Sequence, residues 1–332
     1  MTTDTVLVLR ELPTGGRWSF GGFPYGLEPL TLPDPATRDE DPAGDPTRWG
    51  PDYAEACRRI LRPTAYGPSE RTPAAGPGDE LYWFRWLTGH QVTFVIWRLM
   101  TQLVEAASDR RIDPVLALDP LTRYVRGYCA MLLYTGSCPR DTYERTIRPS
   151  MQLRHPSFSG GWAPDYRSVR DLFRGRRPLL TGSADAGELR EAIELHETVH
   201  EGVAAKLVPD GRSLLRRSEV RGSQDVRLLH LLYDNYFLTQ RAPVSRHDVV
   251  AQLLRRLVAV TQDVATNGLY PQADEEPGSG PAELRTVAVR GCERDFTEIC
   301  FQVAGSATRL PGAPARPGDL RRPHPAGRPD GA

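Results

Sequence analysis

The chain has 332 residues, enough for one large domain or two ordinary ones with a sizeable core. Its hydrophobic (39%) and charged (25%) fractions are those of a soluble globular protein. The 42 basic residues balance the 42 acidic ones, which excludes a histone-like or polybasic-anchor role, because no bulk positive field exists to hold nucleic acid or an anionic membrane. All but one of the basic residues are arginine, Lys206 being the exception, a bias of coding rather than of function. The five cysteines (Cys57, Cys129, Cys138, Cys292, Cys300) are odd in number, scattered and never spaced C-x-x-C. That argues against a disulfide framework or a cysteine zinc cage and makes the reducing cytoplasm the expected compartment. Met1-Thr2-Thr3-Asp4 carries no signal-peptide pattern. The most apolar window, Val92 to Met100, is far shorter than the roughly 20 residues of a membrane span.

In chain order, residues 1–78 read as an irregular N-terminal arm rich in Pro, Gly and Asp, with a short strand expected at Val6-Leu7-Val8-Leu9 and a short helix over Tyr53 to Leu61. From Asp79 the character changes. Leu81, Phe84, Val92, Val95, Ile96, Leu99 and Leu103 recur at three- and four-residue spacing and predict a helix over Asp79 to Ala107. Further helices are expected over Asp119 to Tyr134, Thr142 to Met151, Tyr166 to Phe173, Ala186 to Leu207, Ser223 to Gln240 and Ser245 to Asn267, the last stopped by Gly268. Strand signals are sparse. The fold class is therefore all-α, a mostly helical bundle, with residues 79–304 as the catalytic domain and 305–332 as a disordered tail of Pro, Gly, Arg and Ala.

Three segments carry candidate chemistry. His196-Glu197-Thr198-Val199-His200 puts two imidazoles one turn apart on one helical face, the literal H-E-x-x-H pattern that supplies two ligands and a base in zinc proteases. Val203 and Lys206 stand where the metzincin extension needs Gly and His, and Glu219 is the only candidate for a third ligand downstream. The motif alone leaves zinc, another metal or haem, and a purely structural role open. Thr88-Gly89-His90-Gln91 lies mid-helix; a core histidine satisfied by a carbonyl is the bland reading. Gly89, which costs about 1 kcal/mol in a helix, instead suggests the close approach of a flat macrocycle or an aromatic substrate. Third, a small-residue loop, Ser159-Gly160-Gly161-Trp162, leads into Ala163-Pro164-Asp165-Tyr166-Arg167, where Arg167 is either a solvent-facing helix opener or a carboxylate clamp.

Together these segments, within about residues 79 to 270, resemble the tryptophan 2,3-dioxygenase superfamily of histidine-ligated haem proteins. His90-Gln91 followed by Phe94 and Trp97 is similar to its His-Gln helix. Ser159, Gly160, Tyr166 and Arg167 keep their places in its Ser-Gly-Phe-Gln-Ser-x-Gln-Tyr/Phe-Arg segment, from which Gly161, Trp162 and Asp165 depart. The dioxygenases' Gly-Thr-Gly-Gly-Ser-Ser-Gly loop is missing after Lys206, so the chain looks more like the branch of bacterial haem-dependent L-tyrosine hydroxylases of natural-product (antibiotic) biosynthesis. A related branch tethers haem through a His-x-x-x-Cys pair; His200 stands in that Cys position, so a thioether tether is not possible.

The resemblance implies haem b with His196 as the axial ligand, its other ring nitrogen held by a carbonyl or carboxylate, and His200 against the porphyrin. It implies His90 as distal acid–base, Arg167 as clamp on the substrate carboxylate, and Tyr233 and Asn235 as further pocket residues, although an amphipathic core helix explains those two equally well. L-tyrosine would be hydroxylated beside its phenol oxygen to L-DOPA with hydrogen peroxide, or with O₂ plus a reductant. The alternatives are a zinc hydrolase using His196, Glu197 and His200, a haem enzyme whose substrate is tryptophan (a dioxygenase) or a methylated tyrosine, and a non-catalytic helical binding protein. A homodimer without nucleic-acid or membrane partners is expected. His155, beside the glycine loop, is a minor further candidate; His230 and His247 read as structural, and His324 sits in the tail.

Overall fold

The computed structural model describes residues 19–20, 23–24, 29–37, 51–63, 79–208, 225–271 and 280–308. Among them helices dominate, as the spacing of apolar residues predicts. In chain order the elements are β1 (Ser19–Phe20), β2 (Phe23–Pro24), β3 (Leu30–Leu32), α1 (Pro51–Leu61), α2 (Glu80–Ser108), α3 (Pro114–Thr135), a π-helical turn (Tyr143–Ile147) running into α4 (Arg148–Arg154), α5 (Arg167–Phe173), α6 (Gly187–Leu207), α7 (Val226–Tyr236), β4 (Thr239–Arg241), α8 (Arg246–Asn267), α9 (Val287–Arg294) and α10 (Phe296–Ala307). None of the described helices is long and apolar enough to cross a membrane. The expected strand at residues 6–9, together with Glu219 and His324, lies outside the described residues.

Helix α2 is the central post. It is apolar on nearly every face because α3, α5 and α8 all pack against it, and a helix buried all round needs no polar stripe. Its second turn is pinned by a buried network: Arg85 bonds Asp263 through Nε (2.8 Å) and Nη2 (3.1 Å) and the carbonyls of Gly268 and Leu269, while Tyr134 donates to Asp263 at 2.6 Å. The start of α2, the end of α3 and the C-terminus of α8 thus meet at one guanidinium. With all these groups paired, the burial of both charges is compensated; removal of one partner would strand the other.

Several boundaries differ from the sequence expectation for local reasons. α3 starts at Pro114 rather than near Asp119, because Asp113 caps it by accepting from Val115 N–H and Pro114 takes the first position, where no donor is needed. The expected helix to Gln240 ends at Tyr236: Leu238 adopts φ 52°, and Thr239–Arg241 then form β4, parallel to β3 with Leu30 opposite Thr239 and Leu32 opposite Arg241. β3 therefore belongs to the core, with Leu30 and Leu32 fully buried. α9 and α10 add two helices past Asn267. α10 buries Phe296, Ile299, Cys300, Val303 and Ala307, and Val303 meets Gly127 of α3 where any side chain would overlap it.

Candidate haem-binding and catalytic site

His196 lies on the buried face of α6, between Ile193 and Val199. Its ring stacks on Phe173 of α5 (4.4 Å, 30°) and lies 4.6 Å from Tyr128 of α3. Only 6% of the residue is exposed, and neither ring nitrogen has a hydrogen-bond partner among the described residues. The carbonyl or carboxylate expected to hold its second nitrogen is therefore not found among them. Burial first, and the neighbouring His200 second, push the His196 imidazole down to about 3, so it is neutral throughout the physiological range. A neutral imidazole with an unused lone pair, held rigidly by aromatic faces, is what an axial haem ligand requires, and a dry, unpartnered pair of ring nitrogens is otherwise rare. The residues fit the group. Trp97 Nε1 on α2, 4% exposed, and Arg170 Nε on α5 are further buried donors in the same neighbourhood without a partner among the described residues: the Trp97 ring packs on Tyr166 at 4.7 Å, and Arg170 follows Tyr166 by one turn.

His90 stands one helix away, on α2. Nδ1 lies 2.7 Å from the Trp86 carbonyl, and since a carbonyl only accepts, Nδ1 carries the hydrogen and Nε2 keeps the lone pair. The ring is stacked on Phe237 (4.5 Å, 19°) and sits 4.3 Å from Trp86. Burial outweighs the Trp86 bond and lowers the imidazole to about 4, well below the roughly 6.5 of a free histidine on which the expected proton exchange was argued. The adjacent Gln91 anchors the ring that His90 stacks upon, because it donates to the Phe237 carbonyl (2.9 Å) and accepts from Arg256 Nε (2.9 Å).

Gly89 does not mark a macrocycle. A side chain there would overlap the Thr135 methyl and approach Tyr134 Cδ1 to 3.1 Å, so this glycine lets α2 and α3 close on each other.

Rings connect the two imidazoles. From His90 the chain runs through Phe94 (6.2 Å), Trp97 (5.6 Å) and Tyr128 (5.3 Å) to His196 (4.6 Å). Tyr233 joins it, buried against Phe94 (5.5 Å) and parallel to Phe158 (5.5 Å, 15°). Asn235, half-buried, contributes its backbone carbonyl to Leu238 N–H at 3.1 Å. Arg167 opens α5 and is exposed, and Glu197 is exposed on α6. His200 is exposed, its ring 6.0 Å from that of His196. His155 caps its own turn by accepting from Ser157 N–H at 3.1 Å, and His247 bonds the Tyr53 hydroxyl at 2.7 Å, so both serve structure. Among the described residues no group of three or more His, Cys, Asp or Glu side chains is arranged to hold a metal ion.

The described residues thus bring together a dry, neutral imidazole without a hydrogen-bond partner among them and a second, ring-stacked imidazole along an aromatic path. Residues 40–194, slightly under half of the chain, match the family model of the SfmD 3-methyl-L-tyrosine peroxygenase. The match supports an enzyme of the haem-dependent peroxygenase type acting on tyrosine-type substrates. It includes His90 and Arg167 and stops two residues short of His196. No curated protein matches the chain.

Proposed function

We propose that the protein binds haem b through His196 and hydroxylates the ring of L-tyrosine beside its phenol oxygen, giving L-DOPA. The observation that carries the reading is His196: neutral, packed against Phe173 and Tyr128, with both nitrogens buried and without a hydrogen-bond partner among the described residues. Bound haem would supply the activation of hydrogen peroxide, one of whose oxygen atoms would go to the ring while the other leaves as water.

The chain's own residues would hold and orient. His196 would hold the iron, with the His200 ring one turn on and 6.0 Å away. His90 Nε2 accepts a proton from the peroxide or the phenol. With Nδ1–H engaged by Trp86 and the ring near 4, it is a weak base that returns the proton readily. Arg167 takes the α-carboxylate through its fork of donors, Tyr233 bounds the aromatic ring, and Asn235 follows it on the same helix. The ring-lined path of Phe94, Trp97, Tyr128 and Tyr233 excludes water from the reacting ring.

A second substrate, 3-methyl-L-tyrosine, is favoured by the family match. Haem-loaded protein incubated with either amino acid and hydrogen peroxide decides the matter: the reading expects a product heavier by one oxygen atom, with a catechol from L-tyrosine. If neither is hydroxylated by protein with one haem per chain, the reading fails.

A further inference from the structure

Arg241, the last residue of β4, uses all five of its N–H groups. Nε and Nη2 donate to the two oxygens of Asp234 (2.9 and 2.8 Å), Nη1 and Nη2 to the two oxygens of Asp165 (3.2 and 2.7 Å), and Nη1 also to the Pro33 carbonyl (3.2 Å). Asp165 and Asp234 are 5% and 7% exposed, so two carboxylates face one guanidinium in a nearly dry place. Stability alone does not account for such a triad, because burying three ions costs several kcal/mol each and apolar residues of similar volume commonly serve as well. What the triad fixes is relative position, and its three ends are informative.

Asp165 immediately precedes Tyr166, whose ring packs on Trp97 at 4.7 Å. Asp234 immediately follows Tyr233, whose ring packs on Phe94 and Phe158. The third end is the strand beside β3. The loop leading to Asp165 supplies little restraint at its glycines: a side chain at Gly160 would meet nothing within 4 Å, and one at Gly161 only Ser159 Oγ at 3.5 Å. Asp165 is also a position where this chain departs from the glutamine of the family motif it resembles, and a carboxylate there, unlike an amide, offers Arg241 two acceptors.

We propose that the Arg241–Asp165–Asp234 clasp is a positioning device for the substrate-side wall, holding Tyr166 and Tyr233 at a fixed separation so that the aromatic substrate is received in one orientation. It rests on the proposed function, and it places no group of the clasp in contact with the reacting atoms.

Asp165→Asn tests the clasp without threatening the fold, since it leaves one cation paired with one anion and keeps the side chain's shape. The unfolding temperature should fall, because the amide leaves one Arg241 N–H without its acceptor, while haem content and resting spectrum stay at wild-type values. The KM for L-tyrosine and the midpoint of the tyrosine-induced spectral titration should rise about tenfold, the scale of a misplaced binding wall, with kcat reduced less. Backbone amide exchange over 157–167 should accelerate while that of α6 does not. Arg241→Lys, a single point donor with fewer N–H groups, should disturb the loop at least as much as Asp165→Asn. Unchanged KM, titration midpoint and exchange in Asp165→Asn would overturn the clasp. If the wild-type protein fails to bind haem, the function proposed above falls, and the exchange experiment still decides whether the triad holds the loop.

Discussion

Gln91→Leu probes the link between packing and the distal imidazole. The substitution removes a donor to the Phe237 carbonyl and an acceptor for Arg256 Nε, both 2.9 Å bonds between buried partners. A stranded buried carbonyl costs about 1–3 kcal/mol and a stranded N–H of a charged group about 1.5–3 kcal/mol. Because Arg256 keeps the carbonyls of Gln252 and Pro29, the lower half of each range applies, and the total is about 3 kcal/mol. That is a large share of the roughly 5–15 kcal/mol by which a domain is stable. Urea unfolding of the apoprotein followed by circular dichroism should show this loss, and Gln91→Glu, which still accepts from Arg256 but cannot donate to Phe237, should lose about half as much. In haem-loaded protein, kcat should fall in both variants because the ring under His90 is released. A loss below about 1 kcal/mol in Gln91→Leu with unaltered kcat would refute the reasoning.

His90→Ala should retain haem but lose most turnover, which stopped-flow assays with peroxide would reveal; unchanged kcat would remove the proton-transfer role. The acid limb of kcat/KM should fall near pH 4, where the His90 ring titrates, and not near the free-histidine value of about 6.5. Stability of the apoprotein carries the matching sign. Both His90 (about 4) and His196 (about 3) are lowered in the fold, so the unfolded chain binds protons first. Stability is fully present above about pH 6.5 and drains away as pH falls towards the folded values, which thermal melts across that window would register. Arg167→Leu should raise the KM for L-tyrosine far more than for tyramine, which lacks the carboxylate; equal effects would dismiss the clamp.

Local signals in the sequence locate most of the helical frame. The apolar spacing of α2 and the Asn267-Gly268 stop, where Gly268 adopts φ 74°, are readable because each is settled by its own residues. The paired turn of His196 and His200 is equally visible. The partners are not. Arg241 and Asp165 are 76 positions apart and Gln91 and Arg256 165 apart, and no pattern along the chain announces that they meet. Gly89 misleads for the same reason: a glycine records that something comes close but not what, and here it is Thr135 of the adjacent helix. α10 does leave a signal in Phe296, Ile299, Cys300, Val303 and Ala307 at helical spacing, but it abuts a stretch whose Pro, Gly and Arg content reads as tail. The β3–β4 pairing has no local signal at all, being three residues long and made across the whole fold.

The central claim is that His196 is the bond between this chain and its iron. The most direct measurement is the optical spectrum of protein purified from haem-supplemented cells, for wild type and His196→Ala, each before and after added L-tyrosine. The account predicts a Soret band with one haem per chain that shifts on adding tyrosine in the wild type, and loss of stable haem in His196→Ala with partial recovery by free imidazole. A colourless wild type, or a variant that keeps full haem with the same band, would contradict it.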